Sequence, residues 1–354
     1  MRITILMRTI VLTGGGTAGH VLPHLALLPQ LKKHFAKIYY IGSTNASEQR
    51  IIENAGIPFY PLECVKLRRG LNPRSIMRNL GIPLGYIKSK KRAGELLDQL
   101  KPDIVFSKGG FVALPVVRAC KARKIPVVAH ESDATLGLAN RLSLGCCEKI
   151  CTTFCMCDQV KTTPKFIHTG SLIRPQIFHG NREVVVRRHI LPDKRNLLIL
   201  GGSLGAANIN AVVREARTLL EKNYNIIHVC GRGKKINASE LEFIDDIENY
   251  LAWADVVVSR AGSNTLCELM VLGKPTLFIP LASGRGDQID NAREVAKHRA
   301  AGVLHEQSLN VETFVAALGD VWNNRETYAR NSRDVVKDGT KQVFDTIYSV
   351  VRDK

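Results

Sequence analysis

Short β-branched runs alternate with amphipathic stretches along nearly the whole chain, and partway through the pattern restarts. Ile10-Val11-Leu12 leads into Leu25, Leu28, Leu31 and Phe35, which recur at helical steps of three and four. Residues 38–41, Ile104-Val105-Phe106, Val127-Val128-Ala129 and residues 150–153 follow as apolar runs short enough to be buried strands. A second series opens at residues 196–200 and continues through 226–230, Val256-Val257-Val258, 276–279 and Val303-Leu304. Strands alternating with helices make parallel sheets joined by crossovers. Each series begins with a strand, a glycine loop and a helix, so the expected fold class is α/β with two Rossmann-like domains. At 354 residues the chain also exceeds what one ordinary core supports. Charges, Pro175 and Pro192 interrupt the pattern between residues 171 and 193. We place the domains at 1–172 and 173–334, with a helix over about 335–354 that can pack back on the first.

The formal charge of +18 calls for anionic partners: nucleic acid, acidic lipid headgroups or phosphorylated substrates. No apolar run reaches the ~18 residues that span a bilayer. The first residues offer too short an apolar stretch and no small-residue cleavage site, so we expect a cytoplasmic protein without a signal peptide. Nine cysteines in such a chain do not read as a disulfide framework. Five of them crowd between Cys146 and Cys157 without a CxxC pair, and part of that segment reads as a buried strand in which thiols act as small hydrophobes.

Gly14-Gly15-Gly16-Thr17-Ala18-Gly19-His20 follows the first strand and opens a helix. It satisfies the letter of G-x-G-x-x-G, but a dinucleotide site also wants an acid ending the second strand, and no carboxylate appears before Glu48. What remains is a loop whose N–H groups and helix N-terminus can face an anion, or a tight turn without a ligand. His20 ends the loop; with an unperturbed pKa of about 6.5 it can accept a proton from a hydroxyl, or simply cap and pack the helix. Ser107-Lys108-Gly109-Gly110-Phe111 is a second glycine loop, after the strand at 104–106. His130-Glu131-Ser132-Asp133 takes the same place after the next strand. Because ligands of open α/β sheets bind at strand carboxyl ends, His20, Gly109, Gly110, His130 and Asp133 can line one crevice. The His130-Glu131 pair itself reads as a hydrogen-bonded brace. In the second half, residues 201–206 form a third anion cradle. Residues 259–268 leave a strand and enter a helix, with Glu268 in its first turns where it can accept two ribose hydroxyls. Asp287, Gln288 and Asn291 follow a loop fit to close over a sugar.

The order of these motifs resembles the MurG family of bacterial transferases from Gly14 to about Ala300. The segments that carry the likeness are GGGTAGH (14–20), SKGGF (107–111), HES (130–132), GLAN (137–140), TGSLIR (169–174), GGSLGA (201–206), FIDDI (243–247) and RAGSNTLCE (260–268). The resemblance implies a GT-B fold, two facing Rossmann-like domains with parallel sheets and a deep interdomain cleft. It also implies inverting transfer of N-acetylglucosamine from UDP-GlcNAc to the C4 hydroxyl of undecaprenyl-diphosphate-linked lipid I. The product would be lipid II for peptidoglycan synthesis, and so for cell shape and division. By the same likeness Arg174 and the backbone at Ile244 hold the uracil, and Glu268 holds the ribose. Ser203 and the amides of Ser263, Asn264 and Thr265 meet the diphosphate. Gln288, with Asp287 beside it, contacts the sugar hydroxyls. Thr17, Ala18 and Gly19 line the transferred sugar, Gly15, Gly16, Gly109 and Gly110 the acceptor diphosphate, and His20 is the base. The chain departs from the family at Asp133, where Asn is common, and at Leu204, where Gln is frequent beside Ser203.

No Asp-x-Asp pair follows a strand, so no cofactor or divalent metal is expected; helix N-termini and N–H groups would neutralise the leaving UDP. Between Glu63 and Glu95 there is no acid, while nine Lys and Arg residues alternate with apolar ones. Segment 65–92 is therefore expected to dock the protein, as a peripheral enzyme, on the anionic cytoplasmic face of the cell membrane. A solvated helix face would share this composition. A nucleic-acid stripe ranks last, since Tyr86 as its one aromatic is too little for base stacking, and no nucleic-acid partner is expected. Two alternatives stay open: a GT-B transferase for another lipid acceptor, such as a diacylglycerol galactosyltransferase, and a nucleotide-sugar-binding protein without transfer activity.

Overall fold

The computed structural model describes residues 8–15, 18–65, 82–155, 164–189, 192–202 and 205–352. These fall into two units. Unit 1 holds the described residues up to Ser132, Leu136–Arg174 and those from Asp338 on; unit 2 holds Asp133–Thr135 and Pro175–Lys337.

In unit 1 the strands and helices run β1 (Thr9–Thr13), α1 (Ala18–His34), β2 (Lys37–Gly42), α2 (Ala46–Asn54), β3 (Phe59–Pro61), α3 (Ile82–Leu100), β4 (Ile104–Ser107), α4 (Ala113–Arg123), β5 (Val127–Glu131), α5 (Leu138–Ser143), β6 (Lys149–Thr152) and β7 (Phe166–His168). The seven strands pair in parallel in the order β3-β2-β1-β4-β5-β6-β7. The sequence order reverses between β1 and β4, where crossovers leave in opposite directions and open a crevice at the strand ends. β1 and β4 are buried along their whole length, which is why they read as unbroken apolar runs rather than alternating ones. One face of the sheet packs Ile10, Leu12, Ile104 and Phe106 against Leu27, Leu28 and Leu31 of α1. The other packs Val11 and Val105 against Leu96 and Leu97 of α3 and Val116 and Val117 of α4.

Unit 2 repeats the scheme with α6 (Arg182–Arg188), β8 (Arg195–Leu200), α7 (Ala207–Leu220), β9 (Tyr224–Val229), β10 (Glu240–Leu241), α8 (Ile247–Trp253), β11 (Val256–Ser259), α9 (Ser263–Val271), β12 (Thr276–Phe278), α10 (Asp287–Lys297), β13 (Gly302–Val303), α11 (Val311–Asn323) and α12 (Arg325–Val335). Its six parallel strands lie in the order β10-β9-β8-β11-β12-β13, so the switch point falls between β8 and β11. The last helix, α13 (Thr340–Arg352), returns to unit 1. Val343, Phe344, Ile347 and Val351 bury one face of it in the same core as α1, and Gly339 N donates to Ser171 O at 2.8 Å. The chain crosses between units at Arg174–Pro175, two residues beyond the division placed after 172, and returns at Asp338, three beyond the 335 placed for the terminal helix. Residues 133–135 sit with unit 2 rather than in the 1–172 span, because Ala134 N donates to Asn291 Oδ1 at 2.7 Å.

Candidate active site

Unit 1 gathers its functional groups at the β1/β4 switch point. The loop after β1 and the loop after β4 approach so closely that a Cβ at Gly110 would lie 2.6 Å from the Gly15 carbonyl oxygen. Gly110 also holds φ +83°, a left-handed conformation that side chains rarely adopt, so both space and backbone demand glycine there. His20, half-buried in the first turn of α1, places its ring edge 3.5 Å from that same Gly110 Cβ position. Gly15, Gly19, His20, Gly109 and Gly110 therefore share one neighbourhood. Gly16 and Thr17 lie outside the described residues, as does the side chain of Ala18.

Beneath the loops is a charged layer that the sequence did not reveal. Lys108 is buried, its Nζ donating to His130 Nδ1 at 2.7 Å and to Ser132 Oγ at 2.5 Å. With Nδ1 accepting, His130 carries its proton on Nε2, which donates to Gly170 O at 3.0 Å. Burial, then the Lys108 charge, pushes the His130 pKa well down, so this imidazole is a neutral brace and not a base. Glu131 fixes the next turn: its carboxylate accepts from Ser132 N, Gly137 N and Asn140 Nδ2 at 2.8–2.9 Å. The bracing role expected of His130-Glu131 thus has a geometry. Glu48, the first carboxylate after the second strand, curls back to the first glycine loop. It accepts from Ser43 N and Oγ, and a Cβ at Gly15 would meet its Oε1 at 2.5 Å.

Unit 2 builds a second edge at the β8/β11 switch point. Ser263, Asn264 and Thr265 form the first turn of α9, and Glu268 follows one turn on, all half-buried. Arg260 braces this edge: Nη1 donates to Ile279 O at 3.0 Å and Nη2 pairs with Glu306, which accepts from Ala282 N and Asn208 Nδ2. Neither Arg260 nor Glu306 stood out in the sequence as a brace, their separation of 46 residues hiding the pair. Gln288 Oε1 accepts from Leu281 N at 3.0 Å, so its amide holds the loop before α10. Asn291, fully buried, donates to Asp133 Oδ1 and Ala261 O. Ile244 is half-buried in the loop after β10, and Arg174 ends the second stretch of unit 1. Ser203 and Leu204 lie outside the described residues.

The family models decide what this pair of edges belongs to. The N-terminal domain model of glycosyltransferase family 28 matches residues 10–152 and its C-terminal domain model matches 196–347. Two relatives are named UDP-N-acetylglucosamine–N-acetylmuramyl-(pentapeptide) pyrophosphoryl-undecaprenol N-acetylglucosamine transferase. The one from Lachnospira eligens is 39% identical over 98% of this chain and 99% of its own. The one from Clostridium botulinum is 40% identical over 96% and 99%. The chain belongs to the MurG family. The crystal structure of Acinetobacter baumannii MurG, 26% identical, covers 97% of the chain and is itself covered over 99%, with a TM-score of 0.75. A kitacinnamycin glycosyltransferase, 15% identical with a TM-score of 0.73, shares the fold. The MurG-family fold here is GT-B, two Rossmann-like domains with parallel sheets.

Among the described residues, no group of three His, Cys, Asp or Glu is placed to hold a metal ion. Burial pushes the Cys147 and Cys151 thiols up to about 12, which makes them core residues rather than reactive thiolates.

The buried histidines give unit stability a pH dependence. Burial holds His24 at about 3 and, against the nearby Glu240 carboxylate, His228 at about 4. Unfolded, each returns to about 6.5, so below that pH the unfolded chain binds more protons. Their contribution is complete above 6.5 and is lost as pH falls through the folded values. At pH 5 each has forfeited about 2 kcal/mol. Urea midpoints should therefore drop between pH 7.5 and 5, and His24→Phe, packing on Tyr40 and Phe106, should flatten the slope.

Proposed function

We propose that the chain transfers N-acetylglucosamine from UDP-N-acetylglucosamine to the C4 hydroxyl of the N-acetylmuramyl sugar of lipid I, giving lipid II. The observation that carries this reading is the 39–40% identity, over nearly the full length, to transferases of that name. The geometry of both switch points supports it. His20 accepts the C4 hydroxyl proton while the hydroxyl oxygen attacks the anomeric carbon. The bond from that carbon to UDP breaks, UDP leaves with the electron pair, and the configuration inverts. Gly15, Gly16, Gly109 and Gly110 offer amides to the acceptor diphosphate. In unit 2 the α9 N-terminus, through Ser263, Asn264 and Thr265, takes the donor diphosphate, helped by Ser203. Glu268 accepts the ribose hydroxyls, Arg174 and the Ile244 backbone hold the uracil, and Gln288 and Asp287 read the sugar. Thr17, Ala18 and Gly19 face the transferred group. We expect these groups to serve without a divalent metal. The test is radiolabel transfer from UDP-N-acetylglucosamine to a lipid I analogue, with and without chelator. Turnover of UDP-galactose with none of UDP-N-acetylglucosamine would refute the donor assigned here.

The same reading places the enzyme at the cytoplasmic membrane face. Among the described residues no helix is long and apolar enough to cross a membrane. On α3, Leu84 and Ile87 are 69% and 61% exposed beside exposed Lys88, Lys90, Lys91 and Arg92. The opposite face buries Ala93, Leu96, Leu97 and Leu100. Residues 66–81, the rest of the basic span, lie outside the described residues. Changing Leu84 and Ile87 together to Ser should weaken co-sedimentation with anionic vesicles about tenfold, while water-soluble acceptor analogues are still turned over.

A further inference from the structure

We infer that Arg285 is a positioning residue of the donor site, whose guanidinium offsets the paired carboxylates of Asp133 and Asp287 so that a nucleoside diphosphate can bind beside them. The inference rests on the donor role given above to unit 2. Arg285 Nε donates to Asp287 Oδ2 at 2.6 Å, and Nη2 reaches Asp133 Oδ2 at 3.3 Å. One guanidinium thus spans two acids separated by 154 residues. Asp133 is not loosely placed: its other oxygen accepts from the buried Asn291 Nδ2 at 3.0 Å. That same nitrogen reaches Ala261 O at 3.3 Å, two residues before the first turn of α9. Asn291 Oδ1 meanwhile holds Ala134 N at 2.7 Å. The Asp133 carboxylate is therefore one side chain away from the helix end that takes the donor diphosphate.

Two carboxylates at that distance repel an incoming dianion, in a half-buried setting where screening is weaker than in water. The third acid of the group, Asp290, has its own partner in Arg293 at 3.0 Å. Asp287 also opens α10, whose N-terminal dipole favours it. Arg285 is the cation that reaches both Asp133 and Asp287. Its loop position, between Gly284 and Gly286, keeps the guanidinium 34% exposed and facing both acids.

The test is steady-state transfer kinetics and UDP calorimetry on the full chain with Arg285→Ala, Asp133→Asn and the double variant. Arg285→Ala should raise the donor KM and the UDP Kd about fivefold to tenfold, with kcat and acceptor KM within about twofold. Asp133→Asn, which keeps an oxygen for Asn291, should lower the donor KM about twofold. In the double variant the donor KM should return to within about threefold of the parent. Three results overturn the inference: an unchanged donor KM in Arg285→Ala, a double variant no better than it, or an Asp133→Asn variant as impaired as Arg285→Ala. Failure of the parent protein to transfer at all would refute the proposed reaction instead, and the UDP calorimetry would still decide the role of Arg285.

Discussion

Replacing His20 by Ala is expected to lower kcat about a thousandfold, within the 10²–10⁴ that a positioned general base contributes. His20 is half-buried at the start of α1 and contributes no side chain to the buried core, so the variant should fold with an unchanged urea midpoint. UDP affinity should also hold, because the groups assigned to the donor diphosphate and ribose, Ser263, Asn264, Thr265 and Glu268, lie in unit 2. The other histidines at this edge cannot substitute. His24 is fully buried with its pKa held at about 3, and His130 has its Nδ1 committed to Lys108 and its Nε2 to Gly170. A Gly110→Ala change should reproduce part of the loss by a different route. Its Cβ would collide with the Gly15 carbonyl and spread the two loops, raising acceptor KM together with the fall in kcat. Full turnover in His20→Ala would remove the base from the mechanism.

The sequence exposed the parts of this enzyme that are local. Each long buried strand announced itself as an apolar run, and each glycine loop stood where a strand gave way to a helix. The short strands β3, β7 and β10 did not, whereas the equally short β12 and β13 did, because their apolar runs extend one residue past the paired ones, to Ile279 and Leu304. The charged layer under the loops was illegible for a related reason. Lys108 reads only as a member of a glycine loop until the fold brings His130 and Ser132 over it from 22 and 24 residues away. Glu48 does not end the second strand as a ribose-binding acid would, yet the first turn of α2 swings it back beneath Gly15. Asn291 was noticed for its position after a sugar-closing loop. Its observed work is to hold residues 133–135, which no spacing rule connects to it. Arg285 meets Asp133 across 152 residues of sequence, a contact that no local motif announces.

Glu240→Ala should destabilise unit 2 by about 3–5 kcal/mol, the cost of removing one partner from a buried ion pair. The Glu240 carboxylate is fully buried. It accepts from Arg214 Nε at 2.6 Å, Arg214 Nη2 at 3.0 Å and Ile236 N at 2.9 Å. Desolvation alone would raise its pKa, but these donors outweigh burial and hold it at about 2. Its stabilising contribution is therefore present above its ordinary 4.5 and disappears only as pH falls toward 2. Without the carboxylate, Arg214 loses its anion and the loop between β9 and β10 loses the anchor at Ile236. His228, whose Nδ1 lies 3.4 Å from Glu240 and whose Nε2 donates to Asn210, would face an emptied cavity. Asn210 in turn donates to Cys230 O, the carbonyl against which Gly205 packs, so the disturbance reaches the donor glycine loop. Donor KM should rise with the loss of stability. Glu240→Gln, which keeps one acceptor oxygen and the side-chain volume, should cost about half as much. Both tryptophans of the chain, Trp253 and Trp322, lie in unit 2, so the urea midpoint read by tryptophan fluorescence reports this unit specifically. A midpoint unchanged in Glu240→Ala would mean that the pair contributes nothing to holding the unit together.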